Sequence, residues 1–215
     1  MPDQASAGIV LAVGGGAGCV ARRLGRPAGW SVAAADTDRY ALDSTRAQQR
    51  IWLTEDETGP ESTSQLTPEQ IYTATTESLD RLAATLRGCR WVVVLVCLGG
   101  ATGHVVSPIV CLLARQMGLS TALLAALPFP FEGPLRRTIA ESSLTELAQA
   151  VDAAFLLDNR TLAQRLSPRH SLRESFAASD AILVQAIGQL VAAEGQFDRP
   201  YRLESQSAWS WRNVL

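Results

Sequence analysis

Two glycine-rich segments each follow an apolar run and precede a helical pattern, which is the usual placement of an anion-binding loop. GGGAG occupies residues 14–18 after GIVLAV, and GGATG occupies residues 99–103 after WVVVLV. Backbone N–H groups in such loops, together with the dipole of the following helix, attract phosphate oxygens. Either segment alone could be an ordinary turn. Two of them at neighbouring strand ends favour a phosphate site.

Acidic residues follow another apolar run, SVAAAD, where Asp36 would suit a ribose hydroxyl. A simpler interpretation is that Asp36 and Asp38 cap a turn. The dinucleotide fingerprint G-x-G-x-x-G matches at Gly14 and Gly16 but fails at its third glycine position, which is Cys19. It also leaves the second glycine segment unexplained, so a Rossmann-type dinucleotide-binding domain is an alternative. All 19 basic residues are arginine, which excludes the lysine-containing phosphate loop G-x-x-x-x-G-K-[ST].

Short β-branched runs alternate with helical patterns along the chain, which predicts an α/β fold. We expect a three-layer, Rossmann-like parallel sheet with helices on both faces. The predicted strands are 8–13, 31–36, 50–53, 91–96, 121–127 and 153–158, and the main predicted helices are 68–87, 105–117, 135–152 and 172–195. We assign residues 1–195 to one domain and 196–215 to a divergent tail. The tail tryptophans, Trp209 and Trp211, could dock on the chain's own core or contact a partner or a lipid surface.

The composition is that of a globular chain, with 47% hydrophobic and 19% charged residues. A net charge of −2 argues against nucleic acid as a partner. Four cysteines without a C-x-x-C pair and two distant histidines argue against a zinc site.

The polar start lacks a secretory pattern, so we expect reduced cysteines and a cytoplasmic location. The longest apolar stretch, WVVVLVCL, is too short to predict a transmembrane segment.

Six motifs in order resemble the amino-terminal GTP-binding domain of the FtsZ/tubulin superfamily. GIVLAVGGGAGCVARRL resembles the first strand and the loop G-V-G-G-G-G-x-N-A-V-N-R-M, and ADTDRYAL resembles V-N-T-D-x-x-A-L. CLGGATGHVVSPIV resembles the signature G-x-G-G-G-T-G-T-G-A-A-P-V, and ALPFPFEGPLRR resembles K-P-F-x-F-E-G-x-x-R. FLLDNRTL resembles I-x-I-P-N-D-x-L, and ESFAASDAIL resembles the A-F-x-x-A-D/N that opens the long central helix. The similarity extends from about residue 8 to residue 195.

This resemblance implies GTP or GDP as the ligand, with Mg²⁺ as a further expectation. Phe176 would stack on guanine, and Asp180 would accept hydrogen bonds from its N1 and N2 donors, which disfavours adenine. Judged without the family, Phe176 and Asp180 could be a core aromatic and an exposed acid, and His104 could be a solvent-facing loop residue. Glu132 and Arg136 match the acid and base that hold the ribose and phosphates. The remaining residues implied for nucleotide binding are Gly14, Gly15, Gly16, Gly18, Cys19, Asp36, Asp38, Gly99, Gly100, Ala101, Thr102, Gly103 and His104.

Departures from the family motifs bear on activity. Ala101 and Val105 stand at glycine positions and His104 at a threonine position, so added Cβ atoms are expected to weaken phosphate binding. The acidic segment TEDETGPESTSQLTPEQ replaces the glycine-rich loop that senses the γ-phosphate, and it would repel a triphosphate unless Mg²⁺ intervenes. The hydrolysis loop N-x-D-x-x-D corresponds to GQFDRPYRLE, where only Asp198 overlaps the motif. We expect no counterpart of the family's carboxy-terminal activation domain.

The sequence therefore predicts a guanine-nucleotide-binding, FtsZ-like protein with little hydrolysis of its own and no assigned catalytic residue. We expect it to be a regulatory or scaffold component of a division, cytoskeletal or membrane-remodelling system. FtsZ-like filaments or a membrane-associated protein would be its partner. The alternative is a pseudo-GTPase interaction module that binds no nucleotide, and whether the chain is an enzyme stays open.

Overall fold

The computed structural model describes residues 7–25, 27–54, 66–193 and 209–212. The strands β1 to β7 are Gly8–Val13, Trp30–Asp36, Gln49–Trp52, Trp91–Cys97, Ser120–Leu127, Ala153–Asp158 and Trp209–Arg212. The helices α1 to α8 are Gly14–Ala21, Arg39–Asp43, Pro68–Glu77, Leu79–Leu86, Ala101–Gln116, Pro134–Leu147, Asn159–Ala163 and Leu172–Ala192. A short 3₁₀ turn, Pro130–Glu132, precedes α6.

The strands form one sheet in the order β3-β2-β1-β4-β5-β6-β7. The first six are parallel, and β7 runs antiparallel to β6. The strand order reverses between β1 and β4, where Val13 pairs with Val96. Ligands of open α/β sheets bind at such a reversal, outside the carboxyl ends of the strands. Both glycine segments leave the sheet at this place.

Helices cover both faces of the sheet because its central strands are apolar on both sides. One buried cluster joins the sheet to α3, α4, α5 and α6, with Leu82 and Val110 among its members. The second cluster joins the other face to α1, α2 and α8, with Val20 and Leu183 fully buried. This arrangement confirms the predicted three-layer α/β fold with a parallel sheet.

Several boundaries differ from those predicted. The helix predicted over residues 68–87 is two helices, α3 and α4, that meet at Ser78. The buried Ser78 hydroxyl donates to the carbonyl oxygens of Ala74 (2.8 Å) and Leu53 (3.2 Å), and such bonding often bends helices. Helix α5 begins at Ala101, not at residue 105, so part of the second glycine segment is helical. Helix α6 ends at Leu147, and α7 was not predicted.

The last described segment is a strand that the sequence did not predict. The backbone of β7 pairs with β6, so that Trp211 lies opposite Phe155. The backbone at residues 209–212 thus docks on the chain's own sheet, whereas the side chains of Trp209 and Trp211 lie outside what the structure describes. The division of the chain at residue 195 stays a prediction.

Helix α8 is long and apolar enough to cross a membrane, by length and composition only. The prediction from apolar runs did not single it out, because its apolar residues are interrupted by polar ones. Leu183, Ile187 and Leu190 are buried against the sheet, as in the core helix of an α/β domain. The same test selects such core helices, so it is weak evidence for a membrane span.

Candidate functional site

A cavity of about 620 Å³ lies outside the carboxyl ends of β1, β4 and β5. Its volume falls in the range of small-molecule sites, about 300–1,000 Å³. The predicted site residues that line it come from both glycine segments, the 3₁₀ turn, and helices α6 and α8. They are Gly14, Gly15, Gly16, Cys19, Gly100, Ala101, Thr102, Gly103, Glu132, Arg136, Phe176 and Asp180.

The two glycine segments lie directly against each other. Gly14 has a φ of +81°, and a Cβ added there would lie 3.6 Å from the Gly103 backbone nitrogen. A Cβ added at Gly16 would lie 2.8 Å from the Cβ of Cys97, closer than real carbon atoms approach. Glycine is therefore required at these positions by backbone conformation and close packing. The loops place bare backbone on the cavity wall, where N–H groups can face an anion.

Thr102 is anchored to the end of β2. Its hydroxyl lies 2.9 Å from the hydroxyl of the buried Thr37, and the indole N–H of Trp52 donates to the Thr37 carbonyl oxygen at 3.3 Å. Since Thr102 also lines the cavity, its hydroxyl is oriented before any ligand binds. A phosphate contact of this hydroxyl stays a prediction.

The two aspartates at the end of β2, Asp36 and Asp38, are not among the residues that line the cavity. Asp38 caps α2 by accepting a hydrogen bond from the Ala41 N–H at 3.1 Å, as the turn-capping interpretation proposed. Asp36 is buried near Gly15 and accepts a hydrogen bond from the Asp38 N–H at 3.1 Å. Burial outweighs that bond and a second one from the Thr37 backbone, and it raises the pKa of Asp36 to about 6. A ligand contact for either carboxylate stays a prediction.

Three more predicted residues lie outside the lining. A Cβ at Gly18 would meet Thr45 at 3.0 Å, and Gly99, with a φ of +102°, packs against the Arg136 carbonyl oxygen, 2.9 Å from an added Cβ. The interpretation of His104 as a solvent-facing loop residue is wrong. His104 is half-buried within α5, and its Nδ1 lies 2.6 Å from the Ser143 hydroxyl on α6. These residues support the loops rather than form the wall.

Glu132 and Arg136 form an ion pair at the mouth of the cavity. The Arg136 Nη1 donates to the Glu132 Oε2 at 3.1 Å, while the Glu132 Oε1 accepts the Phe129 N–H at 2.8 Å. Glu132 is largely enclosed, whereas more than half of the Arg136 side chain is exposed. Glu132 is therefore held by the turn, and the Arg136 guanidinium remains accessible to an anion.

Phe176 and Asp180 face the glycine segments from α8. The Phe176 ring is 43% exposed and meets the rings of Phe129 and Phe131 edge to face, at 5.4 and 5.7 Å between centroids. It is therefore not a buried core aromatic. Asp180 is largely enclosed, and its Oδ2 lies 3.4 Å from the Arg23 Nε. Burial raises the pKa of Asp180 above its ordinary value, although Arg23 and Arg22 oppose this.

Other residues of the wall were not predicted. Arg22 and Arg23 directly follow α1, which carries Cys19, and Arg173 lies three positions before Phe176 on the same face of α8. That periodicity was a usable signal. Asn159 is 4% exposed, and its Oδ1 has no hydrogen-bond partner among the described residues. It stands within FLLDNRTL, so the motif contained it.

The chemistry of the wall fits a nucleotide. Four arginines against two carboxylates give an excess of positive charge, which suits phosphates; these residues are Arg22, Arg23, Arg136, Arg173, Glu132 and Asp180. An exposed ring supplies a surface for a base, and Asp180 supplies an acceptor. The described residues contain no group of three or more His, Cys, Asp or Glu side chains that could hold a metal ion. Such a site is typical of the nucleotide-binding class of α/β domains, and Mg²⁺ stays a prediction.

Comparison with known proteins identifies the family. The profile of the Tubulin/FtsZ family, GTPase domain, matches residues 29–167, well over half of the chain. The chain therefore belongs to the Tubulin/FtsZ family, which favours the predicted resemblance over the dinucleotide-binding alternative. It is 32% identical over 184 residues to cell division protein FtsZ of Pseudomonas aeruginosa, covering 83% of this chain and 45% of the relative. For FtsZ of Wigglesworthia glossinidia brevipalpis the identity is 30% over 195 residues, with coverages of 86% and 50%.

Solved structures agree with this assignment. FtsZ of M. jannaschii, solved as an empty dimer, superposes with a TM-score of 0.79 at 26% identity, covering 88% of this chain and 55% of that one. CetZ2 from Haloferax volcanii, solved as a GTPγS-bound protofilament, has a TM-score of 0.73 at 22% identity, with coverages of 87% and 59%, and it shows the fold alone. The chain spans about half the length of the curated relatives it matches.

Proposed function

We propose that this chain binds GTP or GDP in the cavity between its two glycine segments and α8. The observation that carries the proposal is the placement of Phe176 and Asp180 on the same cavity wall as Gly14–Gly16 and Thr102. Residues far apart in the sequence there supply a stacking ring, an acceptor and phosphate-binding backbone. A pocket that served only as a protein interface would not need this combination.

The part of the cavity next to Phe176 and Asp180, where we place the base, favours guanine over adenine. A carboxylate accepts hydrogen bonds but cannot donate them, and guanine presents donors at N1 and N2 where adenine does not. Asp180 is enclosed enough to make such bonds stronger than in water. Arg22 and Arg23 lie close by and keep the carboxylate in a positive environment.

The phosphate end would use the glycine backbone, the Thr102 hydroxyl and the exposed Arg136. Mg²⁺ belongs to this proposal because phosphate oxygens and water usually supply most of its ligands. We further propose that hydrolysis is slow. Ala101 adds a Cβ to the cavity wall at a glycine position of the family signature. The acidic segment and the counterpart of the hydrolysis loop fall largely in 55–65 and 194–208, outside the described residues, so their contribution rests on sequence.

A regulatory or scaffold role rests on the surface around the cavity mouth. Phe131, Leu135, Leu172 and Phe176 are 47%, 72%, 60% and 43% exposed. Phe176 lines the cavity, and each of the other three directly adjoins a lining residue in the sequence; we call the four residues the apolar rim. Apolar residues grouped beside a site are typical of protein interfaces. The partner we propose is an FtsZ-like subunit, with a membrane-associated protein as the other candidate, in a division or membrane-remodelling system of the cytoplasm.

Nucleotide binding is tested by extracting nucleotide from the purified chain and by calorimetry with GDP and ADP. We expect GDP to bind more tightly than ADP. Replacing Asp180 with Ala should weaken GDP about 10- to 100-fold, because a hydrogen bond to a charged group is lost, and should leave ADP unchanged. Asp80→Ala, at an exposed acid on α4 outside the cavity, is the matched control and should change neither affinity. Absence of any nucleotide binding would instead establish the pseudo-GTPase alternative.

A further inference from the structure

Asn159 brings a buried amide oxygen to the cavity wall. It is the first residue of α7, it is 4% exposed, and its Oδ1 has no hydrogen-bond partner in the described part of the chain. A buried carbonyl oxygen without a partner is costly, and native structures rarely tolerate one. Since Asn159 also lines the cavity, the missing donor is expected to come from the ligand.

The residue before Asn159 is clamped by an arginine from another element. Arg137 on α6 donates from Nη1 and Nη2 to the two Asp158 oxygens, at 2.8 and 3.1 Å. Such a two-point contact fixes orientation as well as distance. The Asp158 Oδ1 also accepts the Arg160 N–H at 2.9 Å, so the carboxylate caps α7 at the same time. The connection between β6 and α7 is thereby restrained by the Arg137 side chain and by the Arg160 backbone.

The clamp itself is rigid. The Arg137 side chain is 19% exposed, and its Nε donates to the Glu141 Oε1 at 2.6 Å, which fixes the guanidinium on α6. Burial alone would raise the pKa of Asp158, but hydrogen bonds from Arg137 and from the Arg160 backbone lower it below its ordinary value. Arg137 is not among the described residues that line the cavity. Any effect of Arg137 on a ligand must therefore pass through Asp158 and its neighbours.

The sequence shows why a clamp is needed here. The family motif has proline before the asparagine, and proline fixes its own φ covalently. This chain has Asp158 at that position, with a φ of −86° that no ring restrains. The Arg137–Asp158 pair connects α6 to the end of β6, and it supplies by charge the restraint that a proline ring would supply by covalent geometry.

We propose that Arg137 is a positioning residue that, through Asp158, holds the Asn159 amide in place to accept a hydrogen bond from the nucleoside part of the ligand. The donor is a ribose hydroxyl or a base N–H group, because phosphates at neutral pH offer no donor that is comparably available. This inference rests on the proposed nucleotide binding.

A double-mutant cycle measured by calorimetry with GDP tests it. Asn159→Ala and Arg137→Ala should each weaken GDP about tenfold, as expected for one lost hydrogen bond in an enclosed site. The double variant should bind no more weakly than Asn159→Ala alone, because Arg137 acts through Asn159. Glu141→Ala removes the other partner of Arg137 but keeps both hydrogen bonds to Asp158, so it should weaken GDP binding far less than Arg137→Ala does. Comparison of GDP with 2′-deoxy-GDP and IDP tells which donor Asn159 receives.

Arg137→Lys extends the cycle if Arg137→Ala does not fold, since lysine keeps the charge but cannot form the two-point contact. Full GDP affinity of the Arg137 variants, or additive losses in the double variant, would overturn the inference and leave nucleotide binding intact. Unchanged affinity in Asn159→Ala would do the same. A wild-type chain that binds no GDP would overturn the proposed function, and the inference would fall with it.

Discussion

The pKa values of the carboxyl groups near the cavity are shifted in opposite directions because their surroundings differ. Asp158 receives hydrogen bonds from two arginine residues, which lower its pKa, whereas burial raises the pKa of Asp36 and Asp180. Asp36 has the clearest shift, to about 6, and no cation is paired with it among the described residues. Its ionised form therefore destabilises the fold at neutral pH.

Asp36→Asn should stabilise the chain at neutral pH. The pKa of Asp36 is about 6 in the folded chain against an ordinary value of 3.8, so its stabilising contribution is complete below about pH 4 and is lost as the pH rises through 6. Asparagine, which the family motif V-N-T-D has here, avoids this loss. We expect a gain of up to about 3 kcal/mol at pH 7.5 and of only about 1 kcal/mol at pH 4.5. Urea unfolding at both pH values measures it.

The exposed Asp43 provides the matched control, because Asp43→Asn removes a charge at the end of α2 without relieving burial. It should change the free energy of unfolding by less than about 0.5 kcal/mol. An Asp36→Asn gain of equal size at pH 4.5 and 7.5 would contradict the explanation by burial.

Among the structural elements, the loop between β4 and α5 is constrained by both backbone conformation and packing. Gly99 combines a φ of +102° with close packing against the Arg136 backbone and the Pro128 ring, each 2.9 Å from an added Cβ. It thereby ties the second glycine segment to the first turn of α6. Gly188 on α8 is different, because an added Cβ there would meet nothing within 4 Å.

These two glycines make a matched pair for substitution by alanine. Gly99→Ala should destabilise the fold by roughly 2–4 kcal/mol, from backbone strain and overpacking, and should also weaken GDP binding. Gly188→Ala should stabilise the fold by roughly 0.5–1 kcal/mol, because alanine favours the helix. Urea unfolding compares them. Equal effects at the two positions would show that the loop conformation is not constrained as described.

At the scale of the whole molecule, the apolar rim is the surface that we propose for a partner. Leu135 is its most exposed member, at 72%, and it directly precedes the cavity residue Arg136. A partner that covered the rim would also cover the cavity. Nucleotide binding and partner binding would then be coupled through one surface.

This proposal predicts an effect on FtsZ filaments. Sub-stoichiometric amounts of the chain should reduce the FtsZ that sediments, because a subunit bound at a filament end blocks further addition. Leu135→Asp should abolish the effect by placing a charge in the contact. Leu112→Asp, at a 50% exposed leucine on α5 outside the rim, should retain it. Unchanged sedimentation and turnover with the wild-type chain would rule out FtsZ filaments as the partner.

Local patterns predicted a large part of this molecule. The apolar runs that became β1 and β4 and the glycines after them were recognisable because strand burial and tight turns restrict residue type locally. The four-residue spacing of Phe176 and Asp180 placed both on one face of α8, and both line the cavity. The break at Ser78 was not predictable in the same way, since it depends on a hydrogen bond to Leu53 in a distant segment.

The sequence alone determined the fold class, through short-range periodicity, and the family and its two glycine-rich loops, through ordered motifs. The pairing of Arg23 with Asp180, the clamp of Arg137 on Asp158 and the docking of β7 on β6 required the folded chain. Each joins residues distant in the sequence, and periodicity carries no information about which distant surfaces meet. The same holds for the pKa of Asp36, which is raised by burial from segments that pack around it.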